Sequence, residues 1–316
     1  METKRKMQDH QARAKRILQT HPELRALFCS DPTSGVWAIG AAALHLCAAQ
    51  AASQLSLWPF LLACYAVGAP CAQNLFLAIH EASHDLFFRT ALKNRWFSIA
   101  LNLPLLFPFA IVFRKYHLPH HAALGTSKDF DLPTQLECDV FVGKIGKFVW
   151  LAFQLFFYAL RPLFLETKPL CALTVANVLI QCAFDAWLLA SFGPRCVAYL
   201  FLSLFFAGGL HPTAGHFLSE HVVFDPDKEE QETFSYYGPW NFFMWNVGAH
   251  VEHHDFPAVP CKHLLKVREL APEYYALTTR TSYARLLARF VADDGVALRS
   301  CRARRAKPAN TTACEK

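Results

Sequence analysis

A chain of 316 residues that is 53% hydrophobic, with a formal net charge of +6, has ample length for one or two soluble domains. Its apolar residues are not spread as a soluble pattern would spread them. They gather in long runs nearly free of charge, which is the membrane signature. The eleven cysteines are scattered with no CxxC pair, which argues against a cysteine-built zinc site or a disulfide framework and reads as small apolar side chains in a reduced compartment.

Residues 1–35 form a polar lead-in with seven lysines and arginines and no apolar core of a signal peptide. A first span is expected over 36–53, the weakest of the set because it carries His45 and Gln50, and a second over the uncharged 57–79. HEASH then sets His80 and His84 at i, i+4. The stretch 97–113 holds Pro104 and Pro108 and reads as interfacial or re-entrant; HLPHH follows, with His117, His120 and His121. The stretch 147–165 ends near Arg161-Pro162 and reads the same way. Third and fourth spans are expected over 171–192, with one acid, Asp185, and 195–214, charged only at Arg195. At about 1.5 Å of rise per residue, roughly twenty residues cross a hydrocarbon core of about 30 Å. GLHPTAGHFLSEH adds His211, His216 and His221, and GAHVEHHDFP adds His250, His253 and His254. Residues 296–316 read as a disordered basic tail.

Four spans place both termini on one side, and the seven basic residues before the first span and the twelve in 261–316 make that side cytosolic. The surplus positive charge is therefore mostly in tails facing an anionic leaflet, although solubility explains it as well; no nucleic-acid partner is expected. The sequon at Asn310 is expected to stay unmodified there.

Every histidine cluster lands on that same face, just outside the hydrocarbon. One HxxHH by chance is about a 3% event for fifteen histidines in this length, and here there are two. Eight to eleven imidazoles exceed what one tetrahedral zinc needs and suit two metal ions of higher coordination number, with iron, copper, zinc and nickel all open on ligand type. The eight candidates of the repeated clusters are His80, His84, His117, His120, His121, His250, His253 and His254. His216, near the end of the fourth span, joins them, with His211 and His221 as further candidates. Nearby acids could orient the rings through their second N–H, foremost Glu81 and Glu252 inside the motifs, against ordinary surface charge as the plain reading. His45 is expected to be a satisfied core residue, and His10, His21 and His263 to lie on the surface.

HEASH, HLPHH and HVEHH resemble the three histidine boxes of the membrane fatty-acid desaturase and hydroxylase superfamily. FRKYHLPHHAALG, LHPTAGHFLSEH, ETFSYYGPWNFF and NVGAHVEHHDFP resemble the sphingolipid 4-desaturases within it. The likeness runs from about residue 11 to 295 and marks 36–295 as a desaturase domain. It implies an all-α membrane enzyme of the endoplasmic reticulum with four transmembrane helices and a cytosolic helical cap. That cap would hold two iron ions on the eight box histidines and His216. It also implies that O2 and two electrons, delivered by cytochrome b5 and its reductase, place a trans double bond between C4 and C5 of dihydroceramide to give ceramide. Where the acyl-CoA desaturases carry an asparagine four residues before the extra ligand, Pro212 stands here. The chain begins Met-Glu, so the family's frequent N-myristoylation is not expected. No HPGG haem motif is present, so the electron donor is expected to be a separate protein.

An apolar tunnel discriminates weakly between neighbouring carbons, at about 1–3 kcal/mol per methylene. Regioselectivity is therefore expected from polar groups on the lipid head, with Ser235, Tyr236, Tyr237, Asn241 and Asn246 as candidates; interfacial aromatic and turn roles are the plain reading of the same residues. Hydroxylation of C4 on the same scaffold is the alternative outcome. A histidine-lined metal transporter is a rival of another class, disfavoured because only His45 and Asp185 lie mid-span.

Overall fold

The computed structural model describes residues 10–124, 129–165, 167–225, 231 and 233–301. The basic tail beyond 301 and the sequon at Asn310 lie outside the described residues. Helices dominate: α1 (His10–Thr20), α2 (Pro32–Ala52), α3 (Leu57–Ser83), α4 (Ala91–Asn102), α5 (Ala110–Ala123), α6 (Gln135–Val140), α7 (Gly143–Leu165), α8 (Ala172–Phe192), α9 (Pro194–Leu210), α10 (Gly215–His221), α11 (Trp240–Phe243), α12 (His250–Asp255), α13 (Cys261–Leu270) and α14 (Tyr283–Ala292). One short parallel pairing joins Ser235–Tyr236 to Thr279–Arg280.

Among the described residues three helices, α2, α3 and α8, are long and apolar enough to cross a membrane, and up to five spans result if each of two bent pairs counts as one. Trp37, Ile39 and Leu44 on α2 and Leu179, Trp187 and Leu189 on α8 point outward, as lipid-facing side chains do. The first apolar helix starts at Pro32, four residues before the expected span, because proline suits the first turn, where its missing N–H has no partner to lose. The second continues past 79 to Ser83, so His80 is carried on the span itself.

Two π-turns interrupt the apolar helices, at Cys64–Gly68 in α3 and Phe206–Leu210 in α9. Both occur at close approaches. A Cβ on Gly68 would lie 1.9 Å from Ser203 Oγ, and one on Gly209 2.4 Å from the Ala152 carbonyl of α7. Only glycine lets these backbones pack.

The stretch 97–113 is broken by a 115° bend between Ala91–Leu105 and Ala110–Ala123. Asn102 holds the corner: its amide donates to the Phe107 carbonyl and its oxygen accepts from the Ala110 N–H. The turn thus satisfies its own backbone beside the apolar core. On α7, Arg161 makes a paired bond to Glu137, and Lys147 donates to the carbonyls of Asp293 and Val296. Around α3 a continuous core links Leu77 and Ile79 with Phe113, Trp150, Leu218, Val251, Leu264 and Phe290, and the histidines rise from its upper edge.

Candidate metal centre

Each histidine cluster sits at the end of a different helix. His80 and His84 close α3, His117, His120 and His121 lie in the last turns of α5, His221 ends α10, and His250, His253 and His254 occupy the six-residue α12. At i, i+3 and i+4 the α12 rings share one face, and the α5 rings do likewise. The four helix ends converge, so that imidazoles up to 173 positions apart in the chain share two groups.

In the first group the ring nitrogens of His80, His84, His117, His121 and His253 all lie within 4.8 Å of one another. Nε2 of His117 is 2.9 Å from Nε2 of His84 and 3.0 Å from that of His121. The second group is built on His120, His221 and His254, with His250 and Glu220 adjoining through His221. His250 Nε2 stands 3.1 Å from Nε2 of both His221 and His254. The two groups touch through His121 and His254, whose ring centroids are 4.3 Å apart.

The donor set fits metal ions. Buried polar atoms nearly always find a partner, yet His253 Nε2 is buried with no hydrogen bond, and the Nε2 atoms of His84, His117 and His121, and of His221, His250 and His254, meet one another at 2.9–3.1 Å. Burial, reinforced by the neighbouring rings, holds His250, His253 and His254 well below the usual imidazole range. They stay neutral near pH 7, the form that ligates. His120 differs. Burial would lower it, but Asp131 and Asp129 outweigh burial and raise it to about 9. Its Nδ1 is 2.7 Å from Asp129 Oδ1 and 3.4 Å from Asp131 Oδ2, the carboxylate contact that fixes a ligating ring.

The two acids inside the motifs bond to partners outside the cage. Glu81 does not orient a ring: its carboxylate accepts from the Cys261 N–H and holds the start of α13. Glu252 accepts from Ser235 Oγ and from the Tyr237 hydroxyl, bracing α12 from behind. The geometry also separates the three additional histidines. His216 stands outside both groups, with Nδ1 2.9 Å from Gln73 Nε2 and Nε2 3.7 Å from Glu220 Oε1. His211 bonds Thr213 through its Nδ1 and packs edge-on against Tyr65. His221 alone of the three reaches the cage. A helix turn separates rings at i and i+5 by about 140°, so only one of His216 and His221 can face α12.

A cavity opens beside the cage, with Phe76, Phe113, Trp150 and Phe217 among its walls together with His80, His117, His120, His216, His221 and His250. None of the expected head-group residues lines it. The Tyr236 ring stacks on Tyr283 at 3.8 Å, Asn241 Nδ2 donates to the Tyr236 carbonyl, and Asn246 Nδ2 donates to the Cys261 carbonyl. Ser235 and Tyr237 are held by Glu252. The polar groups that do face the cavity are Gln154, Tyr158 and Arg161 of α7, with Asp131 and Glu220.

Two single histidines also depart from expectation. His10 is buried, with Nδ1 2.7 Å from Asp255 Oδ1, Nε2 2.8 Å from Thr233 Oγ1 and its ring 5.0 Å from that of His254. Arg13 beside it binds Asp255 side-on. Nothing in the polar lead-in sequence separates these two from solvated residues, because their partner lies more than 240 residues away. His45 is fully buried against Tyr199, but both ring nitrogens lack a hydrogen bond, so it is a core residue without the expected satisfaction.

The family model for fatty acid desaturases matches residues 56–283 of this chain. A sphingolipid delta(4)-desaturase DES1-like protein of Oryza sativa subsp. japonica is 46% identical over 289 residues, covering 91% of this chain and 87% of its own length. The sphingolipid delta(4)-desaturase of Schizosaccharomyces pombe is 44% identical over 309 residues, covering 94% and 85%. The sphingolipid delta(4)-desaturase/C4-monooxygenase DES2 of Rattus norvegicus is 40% identical over 294 residues, covering 92% and 90%.

Proposed function

Because this chain belongs to the fatty acid desaturase family, and within it to the sphingolipid delta(4)-desaturases, we propose that it converts dihydroceramide to ceramide by placing a trans double bond between C4 and C5 of the sphingoid base. The observation that carries this reading is the convergence of two imidazole groups that both contribute to the wall of one cavity also lined by aromatic side chains.

Two iron ions are the cofactors. His80, His84, His117, His121 and His253 hold one, and His120, His250 and His254 hold the other. We assign the ninth place to His221 rather than His216 on the geometry above. When bound, the iron pair supplies the oxygen chemistry that breaks an unactivated C–H bond, which lies beyond any side chain's acid–base range. The reaction balances when two hydrogens leave the lipid, two electrons arrive from cytochrome b5 and its reductase, two protons are taken up and O2 leaves as two waters.

The chain's own residues bind and aim. Phe76, Phe113 and Phe217 exclude water around the lipid chain, and Asp129 fixes the His120 ring. C4 lies one bond from the hydroxyl-bearing C3, so the groups that set register must stand beside the cage. Gln154 of α7 is the head-group residue in this reading: it lines the cavity, its Nε2 donates to the Ala214 carbonyl at 3.5 Å, and its amide oxygen can accept from the ceramide N–H. The enzyme sits in the endoplasmic reticulum membrane with four spans, α2, α3, α8 and α9, and with both termini in the cytosol beside the cap. The stretches 97–113 and 147–165 lie at the interface.

Expression in cells lacking the activity, supplied with dihydroceramide, should yield a product two hydrogens lighter. No unsaturated product from iron-loaded protein would refute the assignment. A product heavier by one oxygen would reveal C4 hydroxylation, a second reading favoured by the double name of the rat relative. Metal analysis should find about two irons per chain.

A further inference from the structure

The segment Gly238–Gly248, GPWNFFMWNVG, follows the last span and precedes the third histidine box, and it contains no charged residue. Its helix α11 exposes the Phe242 side chain to 83% and Phe243 to 57%. Large exposed aromatics beside a catalytic cap need a covering medium.

Their level in the molecule is set by contacts to α3. The Phe243 carbonyl accepts from Asn74 Nδ2 at 2.5 Å, and Trp245 Nε1 donates to the Asn74 carbonyl at 2.9 Å. The Trp240 ring is 5.5 Å from His211, which lies 4.8 Å from Tyr65. The water edge on the opposite side of the protein is marked by the polar turn at Gln54–Ser56, where Arg195 donates to the Leu55 carbonyl. From Leu57, at that edge, Tyr65 is about 12 Å along the helix and Asn74 about 26 Å. Adding about 4 Å from the Tyr65 backbone to its ring, Trp240 stands at most about 26 Å above the edge, short of the full hydrocarbon thickness of about 30 Å. Helix tilt and the π-turn only reduce these heights.

Val67, seven residues before Asn74 and so on nearly the same face of α3, is 40% exposed on the helix's outer surface. The aromatic turn continues that lipid-facing surface. Its backbone is also prepared for a medium without water, since Asn74 and Trp245 pair with main-chain carbonyls that hydrocarbon would leave unsatisfied.

We infer that Trp240–Phe243 is a re-entrant aromatic turn embedded in the hydrocarbon of the leaflet nearest the metal centre, with Phe242 in contact with phospholipid acyl chains. The chain re-enters the membrane after its last span and leaves it again to form α12. This rests on the reading that α3 crosses the bilayer.

The test places p-benzoylphenylalanine at Phe242 in the full-length protein in vesicles of a single unsaturated phosphatidylcholine. A parallel variant carries it at Trp58, an exposed position of α3 near the opposite edge. Irradiation and peptide mass spectrometry should find one lipid mass added at each position. Adduct at position 58 with none at 242 would overturn the re-entrant turn alone. Failure at both would remove the placement of α3 in the bilayer, and the re-entrant turn with it.

Discussion

Arg13 and Asp255, 242 residues apart in the sequence, are joined by two parallel hydrogen bonds, Nε to Oδ2 at 2.7 Å and Nη2 to Oδ1 at 2.8 Å. Asp255 follows His254 directly and also accepts from the Tyr275 hydroxyl at 3.0 Å. The amino-terminal helix is thereby latched onto the last turn of α12. Replacing Arg13 by Ala leaves the buried Asp255 carboxylate with His10 and Tyr275 as its remaining partners, so the loss should fall below that of a fully uncompensated pair, about 3–5 kcal/mol. We expect R13A to unfold at a lower temperature and to bind less iron per folded chain. Thermal unfolding and metal analysis of the purified variant check both, and an unchanged melting temperature would contradict the latch.

Asp129 is the acceptor behind His120. D129N keeps the shape but weakens the charge-assisted bond that orients the ring. Losses of this kind run at about 10–100-fold in metal affinity or activity. Iron titration of the stripped variant should show weakened uptake in one of two sites, whereas two unaltered sites would remove Asp129 from the cage's support.

His216 and His221 offer a direct choice for the ninth place. H221A should lose iron from the site built on His120 and His254. H216A should retain close to two irons, since its ring faces Gln73 and Glu220. The reverse pattern of iron content would restore His216 to the cage.

Tyr237 and Gln154 separate bracing from substrate contact. Y237F strips one donor from buried Glu252, which should cost about 1–3 kcal/mol of stability while leaving KM for dihydroceramide unchanged. Q154L should raise KM and loosen the choice of carbon with little effect on unfolding. A KM shift in Y237F without one in Q154L would return the head-group role to the sequence's own candidates.

Acid should weaken the metal-free protein. Burial holds His250, His253 and His254 below the usual imidazole range, so they stay neutral in the fold while the unfolded chain takes up protons below about pH 6.5. The unfolded state then binds more protons, and stability falls as pH drops, by about 1.4 kcal/mol per unit for each ring well below that value. Denaturant unfolding of stripped protein at pH 7.5 and 5.5 measures it. His120 and Glu252, held above their ordinary values, act in the opposite sense, and a midpoint that fails to fall would show that the three neutral rings do not dominate.

Much of the design can be read along the chain because it is periodic. The apolar runs of α2, α3 and α8 are local consequences of composition, and the i, i+3, i+4 spacing of His117–His121 and His250–His254 puts rings on one helix face by backbone geometry alone. Alternating spans and basic tails make a common side for the clusters an expectation, and the helix ends that carry them do converge. The pairing was another matter. That His121 joins the first group and its neighbour His120 the second, that His221 joins a ligand group where His216 lines the cavity outside both, and that Gln154 rather than Tyr237 faces the cavity all depend on the angles at which helices cross. The same holds for Glu81 and Glu252, whose partners lie on α13 and beside β-paired Ser235. A spacing rule assigns a side chain to a face. Only packed neighbours decide what that face meets, and for His10 and Arg13 the decisive neighbour was at the far end of the polypeptide.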